Sequence, residues 1–541
     1  MRSSWPLVDA EGMRRRDRHT IETLGVPGEL LMEVAGRAVA SEALALGAAR
    51  RGALVVCGPG NNGGDGLVAA RHLHLLGVRS RVVLLADEAA LTGDAAANAV
   101  RARRARVSFV SPEVLEAPRA GELWIDAIFG TGLGRAPRGL LAAAIEAASR
   151  ARRERGCPLL AVDLPSGLCA DTGQALGACV EADRTVTLGL PKLGLLLEPG
   201  RSLAGVVRVA RIGIADTVPG DPEPAACWTW SGAAQALPAR PAAGHKGSFG
   251  HVLVVAGSQG KSGAAALAAL GAERVGAGLV TIACAGGLHD ILEVKCTEAM
   301  TVPVSDANCR SLSPEAEKQI LELALARDVV ALGPGLGTDP GTVALVRSLA
   351  VGLARPLVLD ADALNALADD PARLKRRTLA TIVTPHPGEA SRLLGCESRE
   401  INADRIGRAR ALADRTGAVV VLKGAPTVTA APDGRVLVNT TGGPLLGTGG
   451  TGDVLTGTIA GLLAQGKPAF EAAALGAHLH GLAADLLAAR TGPAGSLASE
   501  VAGTIPEAMQ HLRQRAAADR EGEQAGGGER EDGLSLSFPG P

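Results

Sequence analysis

Three glycine-bearing stretches in the first half of the chain carry side chains that can do chemistry. The run GPGNNGGDG, Gly58 to Gly66, follows the apolar segment ALVVC and sets Asn61, Asn62 and Asp65 among five glycines. DAIFGTGLGRAPRG holds Asp126 ahead of a glycine turn, and VDLPSG offers Asp163 and Ser166. Glycine permits positive φ and lets a ligand approach the backbone closely. Asn62, Asp126 and Ser166 together offer amide, carboxylate and hydroxyl oxygens, hard donors that suit potassium or magnesium. Each piece also has a plainer reading. A glycine-asparagine loop makes a tight turn, and an aspartate shortly before a proline caps a helix. Three polar loops at successive strand ends favour a ligand site.

The second half carries a different chemistry. GSQGKSG, Gly257 to Gly263, follows a strand and contains Lys261 and Ser262. It lacks the four residues between glycines that GxxxxGK[ST] requires, so it is not a P-loop. LLGTGGTGDVLTGTIAGLLAQG is the stronger signal, because glycines run straight into a helix whose first turn carries Asp453. Backbone N–H groups and the helix dipole there make an anion hole beside a carboxylate. Asp453 can take the proton of an attacking hydroxyl while the N–H groups hold charge developing on phosphoryl oxygens; read alone, it is a helix cap. TPHPGE places His386 and Glu389 after a strand, and VLKGAPTV places Lys423 between two strands. Taken singly, His386 is a hydrogen-bonded structural histidine and Lys423 a solvated charge.

The elements that must position these residues alternate short β-rich apolar runs with longer amphipathic ones. From Ala53 the order is ALVVC, GLVAARHLHLLG, SRVVLLA, LWIDAIFG, LLAAAIEAASRA and PLLAVDLPSG. That alternation predicts a parallel sheet covered by helices on both faces. The pattern dissolves after Asp216 into a segment rich in proline and alanine, then resumes with HVLVVAG. The reading is an α/β protein of two domains: 1–216, a linker at 217–244, a second domain at 245–515 and a disordered polar tail at 516–541.

Composition narrows the partners. The 55 basic and 56 acidic residues leave a formal charge of -1, which gives no bulk attraction to nucleic acid or anionic membrane. The nine cysteines form no CxxC pair, as expected of reduced thiols in a cytoplasm. The basic N-terminus lacks an apolar region behind it, and no segment reaches the roughly 18 uninterrupted apolar residues of a spanning helix. A soluble protein acting on small molecules is expected.

LMEVAGRAVA, GPGNNGGDGLVAAR, DAIFGTGLGR and VDLPSG resemble the NAD(P)H-hydrate epimerases over roughly residues 10 to 215, a family with a Rossmann-like fold. The resemblance implies a hydrated nicotinamide nucleotide bound by Asn61, Asn62, Gly63, Gly64 and Asp65. It implies that Gly130, Thr131, Gly132, Leu133, Gly134, Arg135 and Ala136 hold its phosphates, and that Asp163 meets the reacting ring as acid or base. One potassium ion is implied on Asn62, Asp126 and Ser166.

GPGLGT, LDADALN, TPHPGEASRLLG, LKGAPTV and the Asp453 stretch resemble the ADP-dependent NAD(P)H-hydrate dehydratases, ribokinase-like in fold, over roughly residues 240 to 510. The resemblance implies nucleotide binding by Lys423, Gly424, Ala425, Pro426, Thr427 and Gly452. Substrate contacts fall on Ala264, Gly335, His386 and Asp453, with Mg2+ accompanying ADP. Gly443 and Gly447 depart from the family's usual asparagine and alanine. Both resemblances in one chain imply a bifunctional repair enzyme. It would interconvert the R and S forms of hydrated NADH and NADPH (NADHX and NADPHX) and dehydrate the S form, and a homo-oligomer is expected. The rival is a ribokinase-like small-alcohol or vitamin kinase fused to a Rossmann-like scaffold domain.

Overall fold

The computed structural model describes residues 3–221, 225–305 and 310–524. The chain divides into an N-terminal unit, Trp5–Ala226, and a C-terminal unit that begins at Cys227. Strand β1 (Ser4–Leu7) stands at the first of these boundaries. The N-terminal sheet follows, with β2 (Ala53–Cys57), β3 (Ser80–Leu84), β4 (Ser108–Val110), β5 (Leu123–Ala127), β6 (Leu159–Val162), β7 (Arg184–Leu188) and β8 (Val206–Ala210). All seven are parallel, in the order β4-β3-β2-β5-β6-β7-β8.

Alternation along these strands divides the core in two. Val55, Cys57 and Ile125 face the helices Gly28–Ala45, Asn61–Leu75 and Gly93–Arg104, whereas Leu54, Val56 and Trp124 face Gly139–Arg155. Both faces are apolar because helices cover both, which is why the strands read as continuous apolar runs. The order reverses between β2 and β5, the topological switch point at which open α/β sheets bind ligands. Cys57 pairs with Ala127 in register and Asp126 with Ala161, so the loops after β2, β5 and β6 leave the sheet side by side.

Strand β9 (Ala225–Trp228) stands at the second boundary. The C-terminal unit then holds β10 (His251–Val255), β11 (Leu279–Ala285), β12 (Met300–Val304), β13 (Val329–Leu332), β14 (Leu357–Leu359), β15 (Thr381–Val383), β16 (Val419–Leu422), β17 (Val428–Ala430) and β18 (Val436–Val438). Their order is β12-β11-β10-β13-β14-β15-β16-β17-β18, parallel from β12 to β16 and antiparallel thereafter. The helices Ser262–Arg274 and Thr451–Ala464 meet backbone to backbone. A Cβ at Gly457 would stand 1.8 Å from the Ala268 carbonyl oxygen, and one at Gly271 would stand 2.3 Å from that of Val454.

Two expectations are revised. The segment 217–244 contains regular structure. Asp221 accepts a hydrogen bond from Arg15 (2.6 Å) and pairs with the buried Arg16 guanidinium, and the helix Trp230–Ala236 docks its Trp230 ring edge-on to His478 and His511 (6.1 and 6.0 Å). Two ring contacts and a few buried small residues create no hydrophobic period, so the alanine- and proline-rich sequence concealed this structure. At the other end, the helix Ala498–Gln524 runs past residue 515, and the remaining expected tail, 525–541, lies outside the described residues. The helix Ala469–Thr491 is long and apolar enough to cross a membrane, but 78% of its apolar window is buried inside the unit, the setting of a core helix. Among the described residues eight cysteines carry free thiols.

Candidate active sites

The first site forms at the switch point of the N-terminal sheet. The helix Asn61–Leu75 starts four residues after β2, and this tight passage needs glycine: a Cβ at Gly63 would stand 2.0 Å from the Gly58 carbonyl oxygen. Asn62 thereby opens the helix with its side chain turned to the loop after β5. Its amide oxygen lies 3.2 Å, and an Asp163 carboxylate oxygen 3.0 Å, from the point where a Cβ of Gly130 would be. Loops after three strands thus converge on one glycine. Asp163 sits at φ +68°, a left-handed conformation that is costly for a residue with a Cβ and that recurs at functional sites.

Asp126 and Ser166 are joined directly. The Ser166 hydroxyl donates to Asp126 Oδ1 (2.6 Å), its N–H donates to Oδ2 (2.8 Å), and Phe129 N–H donates to Ser166 Oγ (2.9 Å). Burial pushes the Asp126 carboxyl up to about 6, against the pull of the Ser166 hydrogen bonds. Asn62 Nδ2 is buried with no hydrogen-bond partner. The Asp126 carboxylate, the Ser166 hydroxyl and the Asn62 amide oxygen are hard oxygen donors of the kind that suit a cation, while the unpartnered Nδ2 offers a proton to a ligand's acceptor. Asp65, three residues after Asn62, is buried; desolvation, and then the Asp163 charge, push its carboxyl well above the ordinary range. Gly130 to Ala136 continue from this point as a partly exposed turn.

The structure adds two residues here that sequence reasoning missed. Lys192 is buried and donates to Asp163 Oδ1 (2.5 Å), Leu188 O (2.7 Å) and Thr187 Oγ1 (3.2 Å). Thr187 itself donates to Asp163 Oδ1 (3.3 Å). A lysine inside the apolar run LGLPKLGLLL was the available signal, since a charge enters a core only with a partner.

The second site lies at the carboxyl ends of β14, β15 and β16. Gly450, at φ +93°, turns the chain into the helix Thr451–Ala464, and Asp453 occupies its first turn. A Cβ at Gly452 would lie 3.5 Å from Lys423 Nζ and 4.0 Å from an Asp360 carboxylate oxygen, so lysine, carboxylate and helix N-terminus share one spot. Asp360, after β14, is buried and fully engaged. It accepts from Lys423 Nζ (2.7 Å), Thr384 Oγ1 (2.8 Å) and Thr456 Oγ1 (2.8 Å). Ala361, at φ +50°, separates it from Asp362, which turns away to accept from Gly337 N–H (2.8 Å) and Lys261 (3.2 Å). Gly335 in that neighbourhood packs against Ala264, whose Cβ would be 2.8 Å from one built on the glycine.

Electrostatics separate the charges of this cluster. Burial, and then Asp360, push the Asp453 carboxyl up to about 6. Burial also raises Glu389, which lies 3.9 Å from Lys423. The Lys423 ammonium is opposed by desolvation yet held above its ordinary value by Asp360 and Glu389. The loop Lys423 to Thr427 connects β16 to β17, and Arg405 braces it from behind. The buried guanidinium donates to the carbonyls of Leu422 (3.1 Å), Lys423 (2.8 Å) and Pro426 (3.0 Å). Nothing in the sequence singled out Arg405, and Asp360 was visible only as part of LDADALN.

His386 does structural work in this arrangement. Its Nδ1 accepts from Gly388 N–H (3.0 Å) and Glu389 N–H (3.3 Å), capping the helix Pro387–Leu394 and leaving half of the ring exposed. The turn bearing Gly443 and Gly447 is tied to the helix Ala469–Thr491, where Asp485 accepts from Gly442 N–H (2.8 Å). For magnesium, no group of three or more His, Cys, Asp or Glu among the described residues is spaced to hold an ion. Asp360 already accepts from three donors, one of them the Lys423 ammonium, so the residues fit a magnesium ion that arrives on the phosphates of a nucleotide and keeps most of its waters.

The folds and sites define a two-unit α/β enzyme, with a polar crevice at the switch point of one sheet and an anion hole with a carboxylate beside the other. Residues 252–507 match the family model described as NAD(P)H-hydrate dehydratase, and residues 28–194 match the YjeF-related protein N-terminus. A bifunctional NAD(P)H-hydrate repair enzyme of Moorella thermoacetica is 44% identical over 523 residues, covering 94% of this chain and 97% of the relative. One from Escherichia coli is 37% identical over 506 residues, covering 92% of each. Among solved structures, an ADP/ATP-dependent NAD(P)H-hydrate dehydratase from Bacillus subtilis, co-crystallised with ATP and Mg2+, is 32% identical. It aligns with a TM-score of 0.46 over 53% of this chain and 98% of its own. The chain belongs to the family of bifunctional NAD(P)H-hydrate repair enzymes.

Proposed function

We infer that this chain epimerises the R and S forms of hydrated NADH and NADPH in its N-terminal unit. In its C-terminal unit it dehydrates the S form with ADP as phosphoryl donor. The observation that carries the reading is the meeting of Asp453, Lys423 and the glycine-led helix N-terminus at one point. A hydroxyl on C6 of the hydrated ring, placed beside Asp453, loses its proton to that carboxylate as the oxygen attacks the β-phosphorus of ADP. Lys423 and the N–H groups at Gly452 hold the charge on the transferring phosphoryl oxygens. AMP leaves; the C6–O bond of the phosphoester then breaks as inorganic phosphate departs, and a C5 proton is lost to solvent so that the C5–C6 ring double bond re-forms. Magnesium, carried by the nucleotide, would neutralise phosphate charge beside Lys423.

In the N-terminal unit Asn62, Gly130 and Asp163 surround the place where the hydrated ring would sit, and Asp163 exchanges the proton that loss and return of water require. A potassium ion on Asn62, Asp126 and Ser166 would supply the positive charge that the buried Asp126 lacks, fixing the loops beside the substrate's phosphates. The reading also carries a cytoplasmic homo-oligomer, which light scattering and fractionation check.

The test uses purified protein, mixed epimers of the two hydrates, and ADP. Recovery of NAD(P)H with AMP and inorganic phosphate in equal amounts is expected. A stable phosphate ester in place of free phosphate would instead identify a small-alcohol kinase.

A further inference from the structure

Lys192 is the cation in the N-terminal site that no role above accounts for. Its backbone is fixed: Val8 N–H donates to Pro191 O (3.1 Å) and Leu193 N–H donates to Val8 O (2.9 Å), on either side of it. Its side chain is 1% exposed, and its three ammonium protons go to Asp163 Oδ1, Leu188 O and Thr187 Oγ1. With every donor spent inside the protein, Lys192 has none to offer a substrate.

The consequence falls on Asp163. Its Oδ1 accepts from Lys192, from Thr187 (3.3 Å) and from Leu188 N–H (3.1 Å), so that oxygen is saturated. Oδ2 is the oxygen beside Gly130 and the Asn62 amide, 3.0 Å from the position a Cβ of Gly130 would take. A carboxylate with one oxygen tied and the other presented is a directed proton acceptor. The Lys192 ammonium grips the carboxylate at Oδ1, on the side away from Gly130, and so leaves the Oδ2 face unshielded.

We propose that Lys192 is the positioning residue of the epimerase site, holding Asp163 by Oδ1 so that Oδ2 alone meets the hydrated ring. Thr187 completes the grip. The proposal rests on the epimerase reading of this unit, and the test separates the two.

R-epimer conversion is followed by chromatography without ADP, so that the C-terminal site is idle, with the spontaneous rate subtracted. Lys192→Met is expected to lower kcat by about 100-fold with KM within about threefold, because the interaction lost matters to proton transfer and not to substrate binding. Removing one partner of a buried pair can unfold the unit, so the second variant is Asp163→Asn/Lys192→Met, which carries neither charge. It is expected to melt as a folded protein and to be no slower than Asp163→Asn alone, since a residue that acts only through Asp163 has nothing left to position. A Lys192→Met enzyme with wild-type kcat, one with raised KM and unchanged kcat, or additive losses in the double variant would overturn the proposal. A wild-type chain unable to interconvert the epimers would overturn the epimerase reading itself.

Discussion

Asp453 is where activity and stability pull in opposite directions. Its carboxyl lies at about 6 in the folded protein against an ordinary 3.8, driven first by burial and next by the Asp360 charge, with Lys423 offsetting part. A folded-state pKa above the unfolded one means that the native protein binds the proton more tightly. The linked stability is therefore fully present below about pH 4 and is lost as pH rises through about 6. A difference of roughly two units corresponds to about 3 kcal/mol, of which about 1.4 kcal/mol is lost between pH 5 and pH 8. Asp453→Asn removes the charge and keeps the shape. At pH 8 the variant's C-terminal unit is expected to be more stable than wild type by up to about 3 kcal/mol, with a flatter pH dependence of unfolding. ADP-dependent recovery of NAD(P)H is expected to fall by about 100-fold or more, as for loss of a general base. Urea unfolding followed by tryptophan fluorescence, beside the absorbance of reduced nicotinamide, measures both. In wild type the rate of recovery should rise as pH increases through about 6. A variant less stable than wild type at pH 8, or one that still repairs the S epimer at the wild-type rate, would refute the assignment of Asp453 as a buried base.

Other perturbations address the two units separately. Arg405→Met strips the donors from three carbonyls of the nucleotide loop. It is expected to destabilise the C-terminal unit by about 3 kcal/mol and raise KM for ADP, measured by unfolding and by initial rates, with epimerisation intact. Gly63→Ala forces a Cβ to within 2.0 Å of the Gly58 carbonyl, so epimerisation should be lost while S-epimer dehydration continues, as read by adding pure epimers. Replacing potassium by a bulky tetraalkylammonium ion is expected to lower the melting temperature of the N-terminal unit and slow epimerisation. Asp126→Asn should be insensitive to the exchange.

The parts of these sites legible in the sequence are those with a local cause. Glycines at a strand-to-helix turn announce a backbone that must come close to something, and Asn62, Asp126, Ser166 and Asp453 stand next to such turns. The doubly buried strands announced the parallel sheets for the same reason: no face is left for polar residues. The roles of Lys192, Asp360 and Arg405 were not legible because they lie in their partners, even where, as with the lysine inside an apolar run, the residue type stood out. Asp360 meets Thr384, Lys423 and Thr456, which are 24, 63 and 96 positions away, and only the folded sheet brings them together. His386 adds a local role that the sequence did not show: its Nδ1 caps its own helix while half of the ring stays exposed. The segment between the sheets looked like a linker because most of the residues it buries, Ala225, Cys227, Ala233 and Ala236 among them, are small, and its polar ties run to distant partners such as Arg16, so no hydrophobic period shows.

The glycine interleaving of Ser262–Arg274 with Thr451–Ala464 has a mechanical consequence. Ordinary helix pairs are separated by side chains that can change rotamer and let the axes slide. Here Gly457 lies against the Ala268 carbonyl and Gly271 against that of Val454, so no compliant layer lies between them. Ala264 and Asp453 belong to these two helices and behave as parts of one stiff beam. Give in the C-terminal cleft must then come from the opposite bank, where the Lys423 loop is hung on the hydrogen bonds of Arg405 and Asp360.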